Sequence, residues 1–144
     1  MDTRVLAEIG ISSCFVFAAL GAVIGAFAVG SATIGAWKKC YAQNKPAPFI
    51  MVAFAGAPLT NSIYGFILMD QLSASVNLSD FRLFFMGVFA GLILGASGYT
   101  QARVAAAASD AYAETGQGFG NYMMVIGICE TIALFTMVFT MLLA

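Results

Sequence analysis

Glu130 lies in the stretch GICETIALF, inside a run otherwise made of apolar and small residues. The chain has seven acids: Asp2, Glu8, Asp70, Asp80, Asp110, Glu114 and Glu130. The first six fall at the ends of apolar runs or between them, where water is in reach. Glu130 follows Phe119 by 11 residues, roughly 16 Å of helix. That depth is about half the hydrocarbon thickness of a bilayer. A charge at such a depth costs at least about 2.5–3.5 kcal/mol, so an acid kept there is a functional candidate, the alternative being a protonated acid making one interhelical hydrogen bond. Counting from Pro48 brings Leu59, Thr60 and Asn61 level with it. Ala57, Thr60, Asn61 and Tyr64 stand at i, i+3, i+4 and i+7, on one helical face. Pro58 in that stretch lacks an N–H and loosens the backbone ladder, which frees nearby carbonyls as ligands. Gln101 reaches the same level if the helix carrying it continues to about residue 112, and RVAAAASDAYA favours helix. One carboxylate, two carboxamides, a hydroxyl and a phenol form a set of hard oxygen ligands. Such a set suits reversible binding of a small hard cation such as sodium, with Glu130 balancing the charge. Thr60, Asn61 and Gln101 could alternatively serve as polar glue between helices.

Several other chemistries lack their residues. The chain has no histidine, so histidine catalysis and histidine metal sites are excluded. Cys14, Cys40 and Cys129 are scattered, without CxxC or zinc spacing, and read as small apolar fillers. No Walker motif is present, so nucleotide binding, and with it an enzyme activity of the chain by itself, is not expected. No organic cofactor is implied. A net charge of -1 gives no reason to expect nucleic acid.

The elements that must hold these residues are membrane helices. Apolar residues make up 61% of the chain and charged ones 9%, against about 25% charged in a soluble domain. Four segments are long enough to span a bilayer: 6–36, 48–69, 81–107 and 119–143. Between them lie WKKCYAQNKPAP, where Pro46 and Pro48 stop a helix, DQLSASVNLSD, and ETGQGFGN with Gly116, Gly118 and Gly120. The N-terminal MDTRVLAEIG shows no cleavable signal, so the first helix is expected to remain. Lys38, Lys39, Lys45 and Arg103 fall on one side, Arg4 and Arg82 on the other. The positive-inside rule then puts loops 37–47 and 114–120 in the cytoplasm and both termini outside a multi-pass cell-membrane protein.

The chain also repeats itself. A shift of 70 carries Gly21 onto Gly91, Gly25 onto Gly95 and Ala36 onto Ala106; a shift of 71 carries Thr60 onto Thr131. Residues 1–71 and 72–144 read as two parallel helical hairpins. The odd spans carry Gly21, Gly25, Gly30 and Gly35, and Gly87, Gly91, Gly95 and Gly98, which permit close helix approach. The bulky even spans are expected outside them. By the same shifts Leu59 occupies the place of Glu130, and Ser31 that of Gln101. The first hairpin has no carboxylate, so each chain would carry one ion.

The stretches APLTNSIYGF, YTQARVAAAAS and ICETIALF, and the 29 residues between Gln101 and Glu130, resemble the K subunit, or proteolipid, of bacterial V-type (V/A-type) rotary ATPases. The resemblance covers both hairpins. It implies an all-α rotor ring of identical subunits in lipid, a stator partner with an interface arginine, and contacts with central stalk subunits. It implies Glu130 as the ion-carrying carboxylate and Thr60, Asn61 and Gln101 as side-chain ligands. Ala57 would offer its carbonyl, and Tyr64 would hold the carboxylate. Asn61 stands where sodium-type members usually have glutamine, and Ala57 where a larger apolar residue is common. Sodium is the expected transported ion, with a proton-carrying version of the same ring as the alternative. A small multidrug antiporter is a remote second: it has four spans and a glutamate, but in its first span.

Overall fold

The computed structural model describes residues 3–144; Met1 and Asp2 lie outside the described residues. Four helices are long and apolar enough to cross a membrane: α1, Thr3–Ala42; α2, Phe49–Ser73; α3, Asp80–Thr115; and α4, Phe119–Leu143. No strand occurs among the described residues.

α1 and α3 run side by side in the same direction and form the main contact of the bundle. Their sequences explain it. A Cβ added at Gly21 would overlap the Gly95 carbonyl, and one at Gly87 would overlap the Gly10 carbonyl. Gly91 meets the Ser13 carbonyl in the same way, and Gly95 meets that of Phe17. These absent side chains let two backbones touch, which is how helices associate where lipid removes the hydrophobic drive. The cysteines fit this interface. Cys14 and Cys40 are buried, and their thiols lie against the carbonyls of Gly87 at 3.3 Å and Ala113 at 3.7 Å. Thr33 and Ser109 share a buried hydrogen bond of 2.9 Å nearer the loop end.

α2 packs on α1 and α3, and α4 packs on α3 and α2. The cross-section is a rhombus with α1 and α4 at its far corners. As expected, the even helices are the more exposed. α4 shows Met124, Ile128, Ile132, Phe135, Phe139 and Leu142 to the outside, at helical spacing.

Two loops are shorter than the sequence suggests. The sequence predicts a loop over residues 37–47, but α1 stays helical to Ala42. Lys39 bonds Glu114 at 2.8 Å and Asp110 at 3.2 Å, and the Trp37 indole N–H donates to the Pro48 carbonyl at 3.0 Å. For Lys39, partners more than 70 residues away hold that end in helix. The turn expected over 114–120 is only 116–118. Gly116 (φ 64°) and Gly118 (φ 85°) adopt left-handed backbone that other residues rarely take, whereas Gly120 is helical. At the opposite end Arg82 donates to the Leu143 carbonyl at 2.9 Å, and Thr3 to Asp80 at 2.6 Å.

α3 continues past residue 112, to Thr115, as the placement of Gln101 required. Arg103 then sits two residues, about 3 Å, beyond Gln101 inside a continuous helix, where it donates to the Tyr99 hydroxyl at 3.3 Å. Lys38 and Lys39 are likewise helical, in the last turns of α1, and of the basic residues counted on that side only Lys45 lies in a loop.

The glycine interface gives a stability test. Gly95→Val should destabilise the folded protein by about 1–3 kcal/mol or more, read as a lower melting midpoint by circular dichroism in detergent. Gly127→Ala, which meets no atom within 4 Å, should leave the midpoint unchanged or raised.

Candidate ion-binding site

The site is built where α2 breaks its own ladder. α-Helix over Val52–Gly56 tightens to a 3-10 turn at Ala57–Leu59 and returns to α-helix at Thr60–Ser73. Pro58 accounts for the change, because it has no N–H to give to a carbonyl one turn back. Its ring is buried and packs against Gly25 of α1. The turn sets the side chains that follow it, Thr60, Asn61 and Tyr64.

Tyr64 reaches across to α4 and donates its hydroxyl proton to Glu130 Oε1 at 2.6 Å. Gln101 of α3 donates from Nε2 to Glu130 Oε2 at 3.2 Å. Both oxygens of the carboxylate therefore accept a hydrogen bond, each from a different helix. Asn61 stands behind Gln101, with Nδ2 giving a 2.8 Å bond to Gln101 Oε1. Asn61 and Gln101 are both fully buried, while Glu130 and Tyr64 are half-buried. The arrangement is a relay in which Asn61 fixes the amide of Gln101 and Gln101 fixes the acid.

Asn61 Oδ1 is the one buried side-chain polar atom without a hydrogen-bond partner among the described residues. An acceptor left so costs about 1–3 kcal/mol. It adds a free oxygen to the carboxylate and the amide oxygen already gathered here, a donor set that fits a hard cation.

Of the six residues singled out in the sequence, the structure joins Glu130, Gln101, Tyr64 and Asn61 in one network. Thr60 and Ala57 are bonded to each other: the Thr60 hydroxyl donates to the Ala57 carbonyl at 3.0 Å. A threonine bonding back along its own helix is a common local habit. The Asn61 amide joins α2 to α3 through Gln101 and leaves its own oxygen free.

One supporting residue is missing from the sequence reading. Ser97 donates to the Cys129 carbonyl at 3.2 Å, tying α3 to α4 next to the acid. Its signal is the spacing of four from Gln101, which places both on one face of α3.

The geometry gathers around a single acid, and the part of the chain that holds this acid has relatives. Residues 84–143 match the ATP synthase C-subunit family. That family is the ion-translocating rotor proteolipid of rotary ATPases, which assembles into rings of identical subunits and is not itself catalytic. The matched segment holds Gln101, Ser97 and Glu130, and it corresponds to the second hairpin of this membrane protein. No curated protein matches the chain.

A hairpin with one interior acid makes a labelling test direct. Dicyclohexylcarbodiimide, which reacts with protonated acids in apolar surroundings, should modify Glu130 alone, as read by peptide mass spectrometry. Glu130→Gln should remove the label altogether; label persisting on another acid would contradict the assignment.

Proposed function

We propose that this chain is the rotor proteolipid of a V-type rotary ATPase and that each copy carries one sodium ion at Glu130. The observation that carries the reading is the pair of bonds from Tyr64 and Gln101 to the two carboxylate oxygens, beside the unpartnered Asn61 Oδ1. These two bonds hold the carboxyl group with both oxygens beside the free Asn61 Oδ1, an all-oxygen cluster suited to a small hard cation. The V-type assignment rests on two hairpins in one chain, the first with Leu59 where the second has Glu130.

The residues divide the work. Glu130 supplies the negative charge. Asn61 Oδ1, the Thr60 hydroxyl oxygen and the Ala57 carbonyl supply neutral oxygens, and the Gln101 amide contributes its oxygen by giving up its bond to Asn61. Tyr64 holds the carboxylate against α2, so the loaded site stays closed toward lipid. In the closed state the cation cancels the cost of a carboxylate at this depth. At the static partner subunit water reaches the site, and an arginine of that partner takes the place of the cation. Rotation brings the next copy to the same position. Stalk subunits meet the ring at loops 43–48 and 116–118; Lys38, Lys39 and Lys45 at that end favour its lying in the cytoplasm, with the termini outside.

The test is the sodium dependence of carbodiimide labelling in native membranes. Sodium at neutral pH should protect Glu130. Gln101→Ala should raise the half-protecting concentration about tenfold or more, the effect of losing one hydrogen-bonding partner of a charged group. Labelling that ignores sodium and follows pH alone would make the ring a proton carrier. Glu130→Gln should leave the ring assembled, by mild-detergent electrophoresis, and abolish sodium uptake into vesicles.

A further inference from the structure

We infer that an exposed aromatic pair on one subunit, Phe15 with Phe66, seats in a hollow between α3 and α4 of the next copy, forming a head-to-tail contact. This rests on the ring assembly above and assigns its surfaces. The rhombic bundle has two opposite seams, α1/α2 and α3/α4. On the first, the rings of Phe15 and Phe66 meet edge to face, centroids 6.2 Å apart, and stand 39% and 54% exposed. On the second is a hollow of about 280 Å³ lined by Phe85, Phe89, Ile93, Thr136 and Thr140.

The two features share a level. Phe66 follows Gly65, which lies against Cys14 and Phe15 of α1. Phe15 in turn falls between Cys14, which meets Gly91, and Phe17, which meets Gly95. The pair is thus level with residues 91–95 of α3, at the Ile93 rim of the hollow. Copies related by an axis along the membrane normal keep equal levels at equal depth, so the projection and the hollow face each other.

The chemistry also matches. The Thr136 and Thr140 hydroxyls are satisfied by the carbonyls of Ile132, at 2.8 Å, and Thr136, at 2.7 Å. The hollow therefore asks for no polar partner. Phe85 and Phe89 are stacked, 6.1 Å apart and 12° from parallel, and line it with aromatic surface suited to further rings. Because projection and hollow lie on different seams, a twofold dimer cannot fill both. A head-to-tail contact can, and it closes on itself when repeated by rotation.

The experiment uses the full chain in native membranes, with Phe66→Cys and Ile93→Cys combined and a short bismaleimide added. The double variant should give a ladder of dimer, trimer and higher species, and each single variant only the background of the parent chain. Dimers from either single variant, or no ladder from a double variant that still runs as a high-mass ring, would overturn the inference. If the parent chain itself forms no high-mass species, the ring reading fails and takes this contact with it. As a second measure, Thr136→Trp, which fills the hollow, should lower the temperature at which the ring dissociates in detergent. An unchanged dissociation temperature would contradict the contact.

Discussion

A carboxylate in the middle of an apolar helix must be compensated, and the architecture of this protein follows from that need. Glu130 cannot be met by its own helix, whose neighbouring residues are apolar or bond their own backbone, as Thr131 does to Ile128. Its partners come from elsewhere: Tyr64 from α2 and Gln101 from α3. Three helices must therefore meet at one depth within hydrogen-bond reach. That demand explains why α2 breaks at Pro58 just before Thr60, and why Ser97 fastens α3 to α4 one turn from Gln101.

The same demand sets the rest of the packing. α3 can hold Gln101 buried only if something covers its far side, and α1 does so at backbone contact through Gly10, Gly21, Gly87, Gly91 and Gly95. Small residues on that wall leave the large ones for the outer surface. The long ends of α1 and α3 are joined by Lys39 with Asp110 and Glu114, exposed ion pairs of modest energy whose effect is to keep the two helices in register. The first hairpin repeats the helices of the second without its acid, and contributes Tyr64 and Asn61 to the network around Glu130.

Much of the site is legible in the sequence because membrane depth can be counted along a helix. Counting from Pro48 puts Thr60 and Asn61 level with the interior acid Glu130, Tyr64 falls on the same helical face, and Gln101 joins them once its helix runs to about residue 112. Counting gives depth but not pairing. It does not tell that Asn61, with its short side chain, spends its amide on Gln101, or that the Thr60 hydroxyl turns back to Ala57. Loop lengths escape for a related reason. The helix through Lys38 and Lys39 is held by acids 71 and 75 residues away, and local propensity carries no record of them. The end of the third span escapes in the same way: the apolar run stops near residue 107, whereas α3 continues to Thr115.

The central claim is that one carboxylate exchanges a cation while held between a phenol and an amide. Infrared difference spectroscopy of the purified ring, recorded on adding sodium at neutral pH, observes that group directly. The account predicts a sodium-dependent shift of a carboxylate stretching band that saturates at one ion per chain and vanishes in Glu130→Gln. A spectrum without carboxylate change on sodium addition, or one whose change survives that substitution, would contradict it.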